Sequence, residues 1–136
     1  MNREEILARL RELREKNIIV PTDAMIKSDE QIEGIRQASI ANSKVLDAVS
    51  NAIRPLMTTE EIDQIVNRTS KELGGYPAPL GYEGFPKSCC TSINDQVCHG
   101  IPSKKDILMP GDIVNVDCTT RLNGYYGDAS RMYIIG

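Results

Sequence analysis

The segment from Ile113 to Ile135 constrains the fold of this chain more than any other stretch. Two apolar runs typical of strands flank Asn123-Gly124, a dipeptide that favours a two-residue hairpin turn because both of its residues accept a positive φ. The segment therefore predicts two antiparallel strands. The predicted cross-strand pairs are Leu122 with Tyr125, Thr119 with Asp128, and Asp117 with Ser130.

This register places two carboxylates on one face of the hairpin. Side chains alternate between faces along a strand, so Asp117 shares its face with Thr119 and hence with Asp128. Like charges on neighbouring strands repel each other, and strand interiors disfavour Asp. Oxygen ligands at this spacing suit divalent metal ions. The alternative is a pair of solvated aspartates on an exposed face, and the pairing alone leaves both interpretations open.

Composition bounds the class of protein. The chain has 136 residues, which fits one domain, and its 40% hydrophobic and 26% charged residues are ordinary for a globular protein. A formal charge of -3 gives no basic field for nucleic acid or an anionic membrane. The first 17 residues are charged throughout, unlike a signal peptide. We expect a cytoplasmic protein without nucleic-acid or membrane partners.

Three segments predict helices. Asn2 and Glu5 form an N-cap pair ahead of a short amphipathic helix that ends near Lys16. Capping signals at Ser28 and Thr58 precede a long helix and a second helix, which end at Pro55 and at Gly74-Gly75. We interpret residues 1–24 as an N-terminal extension and residues 25–136 as the body. A partner-binding role for the first helix is the alternative.

The remaining segments are loops and short strands. Proline and glycine predict an irregular loop from Tyr76, followed by a strand through Ser88 to Ile93 and another that begins at Val97. The predicted fold class is therefore α+β, with an antiparallel sheet covered by two helices. The four cysteines, Cys89, Cys90, Cys98 and Cys118, lack zinc-site spacing, so we expect reduced, buried thiols, with a zinc site as the alternative.

His99 is the only histidine, and its position beside Gly100 suits a side chain that protrudes from a turn. With the two aspartates it forms a set suited to metal-assisted hydrolysis. At this point the chain resembles the methionine aminopeptidases, in particular the short bacterial type. The blocks that carry the resemblance are Leu80–Ser88 (LGYEGFPKS), Ser92–Asn94 (SIN), Cys98–Pro102 (CHGIP), Gly111–Asp117 (GDIVNVD) and Gly127–Ser130 (GDAS).

The resemblance implies a fold, a reaction and a set of roles. The family fold, called pita-bread or creatinase/aminopeptidase, has two similar halves, each with two helices on an antiparallel sheet, and residues 25–136 match one half. The family removes methionine from the N-terminus of a peptide or nascent protein. By position, Asp117 and Asp128 would bind two divalent metal ions of the cobalt, manganese, iron or zinc class. His99 would contact the substrate near the scissile amide, and Tyr82, Phe85 and Cys90 would line the methionine pocket.

The departures from the family pattern matter as well. Family members are roughly twice as long, and their second half supplies the remaining metal ligands, so we expect this chain to be an N-terminal half. It would hold metals weakly and show little or no activity alone. It would self-associate, or bind a C-terminal half, through an exposed sheet edge. The alternatives are a non-catalytic peptide- or protein-binding module and a half-unit homodimer. Glu83 and Pro79 stand where the family pattern has histidine and cysteine.

Overall fold

The computed structural model describes the backbone of residues 1–136 and every side chain except that of Asp23. The chain forms two compact units, Met1–Ile32 and Glu33–Gly136. The first unit contains helix α1, Arg3–Glu15, and the first residues of helix α2, Asp29–Ala52. The second unit contains the rest of α2, helix α3 at Thr59–Glu72, and the sheet.

Helix α1 begins as the sequence predicts. The Asn2 side chain accepts a hydrogen bond from the Glu5 backbone N–H at 2.9 Å, and the Glu5 carboxylate accepts one from the Asn2 N–H at 2.8 Å. These two bonds form a capping box, which satisfies backbone donors that the first helical turn leaves free. None of the residues of α1 is buried.

Helices α2 and α3 supply the apolar faces that cover the sheet. The 24-residue α2 and the 14-residue α3 confirm the two predicted helices of the body. The N-terminus of α3 has the predicted capping box, with Thr58 at the N-cap and Glu61 as its partner. The buried residues of the two helices are Ala38, Ala41, Asn42, Val45, Leu46 and Val49, then Thr59, Ile62, Asp63, Ile65, Val66 and Ser70.

The sheet has four antiparallel strands, and the third is central. The strands are β1 at Tyr76–Pro77, β2 at Cys90–Ile93, β3 at Ile113–Leu122 and β4 at Tyr125–Ile134. Strand β3 pairs with β4 along one side and with β1 and β2 along the other. The predicted register of the β3–β4 hairpin is confirmed, including the pair of Asp117 with Ser130. The register places the Asn123-Gly124 turn, where both residues have positive φ, between the strands.

Two details of the strand prediction are wrong. No strand begins at Val97, which is 94% exposed in a stretch without regular structure. Its apolar side chain alone suggested a strand, but it has no cross-strand partner to pack against. The two-residue strand β1 was missed because Pro77 and the glycines around it favour a loop. The α+β class, with helices on an antiparallel sheet, is confirmed.

Alternation along β3 separates a closed face from an open face. The closed face packs against the helices and contributes Val114, Val116 and Cys118 to a mainly aliphatic core. Burial of such side chains stabilises the fold by about 1.5–3 kcal/mol each. The open face carries Asn115, Asp117, Thr119 and Arg121.

One buried polar side chain joins the second unit's helix α2 to β3. The amide of Asn42 donates to the Cys118 carbonyl oxygen at 2.9 Å, and its oxygen accepts from the Thr120 hydroxyl at 2.9 Å. Both partners lie on the closed face, and Asn42 is 2% exposed. This pair of bonds fixes the position of the hairpin against the helix. No helix in the described part of the chain is long and apolar enough to cross a membrane.

Candidate active site

The two aspartates of the hairpin lie on the open face of the sheet. Asp117 pairs with Ser130 and Asp128 with Thr119, so the two carboxylates are diagonal neighbours on adjacent strands. Burial raises the pKa of the Asp117 carboxyl, Asp128 raises it further by charge repulsion, and His99 opposes both effects. The pair is therefore an electrostatically unfavourable arrangement that a bound cation would relieve.

His99 is held next to the aspartates by its neighbour Gly100. The Thr91 backbone N–H donates to the Gly100 carbonyl oxygen at 2.8 Å, and the Gly100 N–H donates to the Ser92 hydroxyl at 3.2 Å. A Cβ atom at Gly100 would come within 2.0 Å of the Thr91 carbonyl oxygen. Only glycine allows this close approach. The approach holds the segment that contains His99, which has a φ of 58°, beside β2, and His99 lines the same cavity as the aspartates.

Cys90 lies on the opposite side of Asp117 from β4. Its Cα is the cross-strand partner of that of Asp117 in the pairing of β2 with β3. Burial, and after it the charge of Asp117, raises the pKa of the Cys90 thiol to about 11. The thiol is therefore protonated at neutral pH and contributes a small, soft, uncharged surface. All four cysteines are free, but Cys98 is exposed, so the expectation of buried thiols fails at that position.

The loop between β1 and β2 forms another wall. The Tyr76 hydroxyl donates to the Leu80 carbonyl oxygen at 3.0 Å, and the Gly81 N–H donates to the Phe85 carbonyl oxygen at 2.8 Å. A short 3₁₀ turn at Tyr82–Gly84 lies inside this loop. These bonds order the loop although glycine and proline interrupt it, and Tyr82 and Phe85 line the same cavity as the residues of the sheet's open face.

Helix α3 anchors the end of this loop through three polar side chains on one of its faces. The Lys87 ammonium forms an ion pair with Glu60. The Ser88 N–H donates to the Asp63 carboxylate at 2.5 Å, and the Asn67 amide donates to the Ser88 hydroxyl at 2.7 Å. These contacts fix the chain where it enters β2, immediately before Cys90. Sequence reasoning missed them, although the spacing of Glu60, Asp63 and Asn67 is that of one helical face.

These elements enclose one open cavity of about 820 Å³. All six residues that the sequence proposed for the site line it: Tyr82, Phe85, Cys90, His99, Asp117 and Asp128. Sequence reasoning missed Tyr76, Thr119, Arg121 and Tyr126, which line it as well. The signal for Thr119 and Arg121 was available, because residues two and four positions after Asp117 share its face. The signal for Tyr76 was absent, since β1 was not predicted.

Comparison with known proteins assigns the family. Residues 33–136 match the metallopeptidase family M24. The chain belongs to this family. The M24 match covers the second compact unit and therefore the whole cavity. The match agrees with the expected half of a pita-bread fold.

Similar proteins within M24 are methionine aminopeptidases. The chain is 49% identical over 111 residues to mitochondrial methionine aminopeptidase 1D of Danio rerio, covering 82% of this chain and 32% of that protein. It is 46% identical over 109 residues to methionine aminopeptidase A of Synechocystis, covering 80% of this chain and 43% of that protein. The crystal structure of methionine aminopeptidase from Rickettsia prowazekii superposes with a TM-score of 0.79 at 42% identity, covering 82% of this chain and 44% of that one. The chain thus spans less than half of each relative.

The residues of the cavity fit a divalent cation in part. The carboxylates of Asp117, whose pKa is raised, and Asp128 form no ion pair with a lysine or arginine in the described structure. Two such carboxylates are a donor set that an oxygen-binding metal prefers. However, no group of three or more His, Cys, Asp or Glu side chains in the described structure is arranged to hold a metal ion. A metal bound here would therefore need water or another polypeptide segment as additional ligands.

Proposed function

We propose that this M24 chain takes part in metal-dependent removal of the N-terminal methionine from peptides and nascent proteins. The observation that carries the proposal is the diagonal pair of Asp117 and Asp128 on the open face of the sheet, in one cavity with His99. The methionine aminopeptidases that the chain resembles at 46–49% identity supply the reaction. Family M24 supplies the metallopeptidase chemistry.

In the proposed reaction, the two aspartates and His99 have separate roles. Asp117 and Asp128 would hold divalent metal ions through their carboxylate oxygens. When bound, such ions polarise a carbonyl and activate water. His99 would donate a hydrogen bond to the substrate near the scissile amide, since it is exposed and lines the same cavity as the two aspartates.

The methionine side chain would lie against the loop and strand β2. Tyr82 and Phe85 provide aromatic walls, and Cys90 provides an uncharged sulfur, because its pKa of about 11 keeps the thiol protonated. Thioethers make favourable contacts with aromatic rings and with soft, polarisable surfaces. An apolar pocket beside two carboxylates matches a substrate with an apolar side chain next to a free amine.

Two protein ligands predict weak metal binding by this chain. Divalent cations of this class take four to six ligands, and water would have to supply the rest. We therefore expect low affinity for manganese or cobalt, and methionine release that is very slow or undetectable. Adding the remaining part of a relative such as the Synechocystis protein should supply the further ligands and raise the rate of methionine release.

The metal site is tested by isothermal titration with Mn²⁺. The parent should bind, and Asp117→Ala and Asp128→Ala should each lose binding. Asp95→Ala is the matched control, since Asp95 is an exposed aspartate that does not line the cavity. Binding by Asp117→Ala that equals the parent's would show that Asp117 is not a ligand.

The reaction is tested by release of methionine from a Met-Ala-Ser peptide. The chain is assayed alone and with the added segment, each with Mn²⁺ and with a chelator. Metal-dependent release that disappears in Asp117→Ala supports the proposal. Rapid release by the 136-residue chain alone would contradict the expectation of an incomplete site, and no release under any condition would favour a non-catalytic binding module.

A specific observation favours association as a second role of the open face. Ile113, Met132 and Ile134 are 40%, 55% and 78% exposed. They lie near the end of the β3–β4 hairpin that is opposite its turn. We infer that this apolar surface and the free edge of β4 bind a second copy or a complementary half. Light scattering across a concentration series tests this inference, and a monomer at every concentration would exclude the homodimer.

A further inference from the structure

One row of side chains at the hairpin end of the sheet has no role in the proposed reaction. Tyr76 on β1 pairs with Arg121 on β3, and Arg121 pairs with Tyr126 on β4. Directly paired residues of antiparallel strands point to the same face, so the three side chains form one Tyr–Arg–Tyr row. All three line the same cavity as the two aspartates.

The guanidinium of Arg121 is available for a ligand. It lies 5.9 Å from the centre of the Tyr126 ring, within the range of a cation–π contact. The structure records no ion pair between Arg121 and any described carboxylate. Among the described residues that line the cavity, Arg121 carries the only guanidinium or ammonium group. Its planar fork of donors matches a carboxylate with two parallel hydrogen bonds.

The register fixes how far this cation lies from the aspartate pair. Arg121 is two residues beyond Thr119, the cross-strand partner of Asp128, and four residues beyond Asp117. At roughly 3.3 Å per residue, these separations are about 7 Å and about 13 Å along the strand. An extended peptide advances by the same amount per residue. A peptide that runs along β3 toward the hairpin turn, with its N-terminal amine at Asp128, the nearer of the two aspartates, therefore brings its third residue to Arg121.

We propose that Arg121, flanked by Tyr76 and Tyr126, binds a carboxylate of the substrate about two residues beyond its N-terminal residue. This proposal rests on the proposed aminopeptidase function, since it takes the aspartate pair as the place of the substrate's amine. The carboxylate has two sources: an acidic side chain at the third position, or the free C-terminus of a short peptide. Both present the same planar anion to the guanidinium.

Glu83 gives the proposal an internal comparison. Its carboxylate lines the same cavity, it is exposed, and the structure records no hydrogen bond or ion pair of this side chain with a described residue. A negative charge at this wall repels an incoming carboxylate, whereas Arg121 attracts it. Removal of each charge should therefore change the affinity for acidic peptides in opposite directions.

The experiment is a titration of the isotopically labelled chain by NMR, without added metal so that no peptide is cleaved. Three amidated hexapeptides separate charge from position: Met-Ala-Glu-Ala-Ala-Ala, Met-Ala-Gln-Ala-Ala-Ala and Met-Ala-Ala-Ala-Ala-Glu. A Met-Ala-Ala peptide with a free C-terminus, and its amide, test the second source of the carboxylate. We expect the peptide with Glu at the third position to bind about threefold to tenfold more tightly than the peptide with Gln.

Variants assign the preference to single residues. Arg121→Gln should remove the preference for Glu over Gln, and Glu83→Gln should increase it by about twofold. Arg36→Gln is the matched control, because it removes one positive charge from the exposed side of α2 and Arg36 does not line the cavity. It should leave the preference unchanged.

The outcomes separate this proposal from the function on which it rests. Equal affinity for the Glu and Gln peptides, with binding that still requires Asp117, overturns the role of Arg121 and leaves the aminopeptidase proposal in place. A preference that persists in Arg121→Gln also overturns it. No binding of any peptide, or binding that Asp117→Ala does not weaken, overturns both. Tighter binding of the free-acid tripeptide alone assigns the site to a terminal carboxylate.

Discussion

The two faces of strand β3 carry residues of opposite character at alternate positions. On the closed face, Val114 and Val116 are fully buried and Cys118 is 1% exposed. On the open face, Asp117 and Arg121 line a cavity, and neither belongs to the hydrophobic core. Both faces belong to the same ten residues. The closed face therefore stabilises the fold, and the open face holds charges that folding alone does not require.

This difference teaches where function can be found in a small α+β unit. A charged side chain on the closed face would need a buried hydrogen-bonding partner. Even the uncharged Asn42 of α2, which is buried against this face, has its side-chain amide bonded to β3 through both its N–H and its oxygen. A charge on the open face needs only water. The neighbouring carboxylates of Asp117 and Asp128 are thus tolerated. A cation bound between them would relieve their mutual repulsion.

The largest expected effect on stability comes from placing a charged side chain on the closed face of β3. Val116→Asp places a carboxylate in the closed face without a partner and should destabilise the fold by more than about 4 kcal/mol. Asp117→Asn, one residue further, should leave the folded state intact. Circular dichroism during urea unfolding measures both. Cooperative unfolding of Val116→Asp at the parent's midpoint would contradict the assignment of the two faces.

The sequence alone predicted the hairpin and its register, because Asn123-Gly124 fixes the turn and a two-residue periodicity fixes the faces. It also predicted both capping boxes of α1 and α3. It did not predict β1, whose two residues gain their strand geometry only from pairing with Thr120 and Arg121. Local sequence carries no signal for such a partner, so the Tyr–Arg–Tyr row was missed with it.

The proposed site shows the same division. Asp117 and Asp128 followed from the hairpin, and His99 followed from its place as the only histidine beside Gly100. The roles of Tyr82, Phe85 and Cys90 depended on the resemblance to methionine aminopeptidases. The structure brings all six into one cavity. The contacts of α3 with Lys87 and Ser88 could not be predicted, because they join segments more than twenty residues apart.

The second prediction concerns the polar contact on the closed face. Asn42→Leu removes both hydrogen bonds and leaves the Thr120 hydroxyl and the Cys118 carbonyl without their partner. We expect a loss of about 1–3 kcal/mol in the free energy of unfolding. Adding Thr120→Val should recover part of the loss, since one unsatisfied group disappears. Ser43→Ala, at an exposed position of α2, is the control and should change stability by less than about 0.5 kcal/mol.

The third prediction compares two carboxyls whose pKa values move in opposite directions. Burial raises the pKa of Asp63, so the folded state binds its proton more tightly than the unfolded state does. The contribution of Asp63 to stability is thus present at low pH and is lost as the pH rises from its ordinary pKa through the raised one. Asp63→Asn keeps an oxygen acceptor for the Ser88 N–H. In that pH window the free energy of unfolding of the parent should decline by at most about 1.4 kcal/mol per pH unit because of Asp63, and the variant should lack this decline.

Asp112 provides the opposite sign. The Asn94 amide and the Met109 N–H hold its pKa below the ordinary value, so its contribution is present at neutral pH and is lost as the pH falls. Asp112→Asn should flatten the acid side of the stability curve. Urea unfolding from pH 3 to pH 7, carried out for both variants and the parent, measures how each substitution changes the slope of stability against pH. If the two substitutions changed the slope of the free energy of unfolding against pH in the same direction relative to the parent, the opposite pKa shifts of Asp63 and Asp112 would be contradicted.

The smallest effect on stability is expected on the open face, at Tyr126. Its ring is 53% exposed, so Tyr126→Ala should change the free energy of unfolding by less than about 0.5 kcal/mol. The ring nevertheless lies under the Arg121 guanidinium, whose strand neighbour across the diagonal is Asp128. Without the ring, Arg121 is free to pair with Asp128 and to compete with a cation. We expect the affinity for Mn²⁺ to fall by about twofold to fivefold.

Two further variants isolate this competition. Tyr126→Phe retains the ring and should bind Mn²⁺ as the parent does, whereas adding Arg121→Gln to Tyr126→Ala should restore the affinity, because the competing cation is gone. Isothermal titration measures all four proteins. An unchanged affinity in Tyr126→Ala would mean that Arg121 stays away from Asp128 without the ring. A side chain that alters binding but not stability is what separates the open face from the closed one.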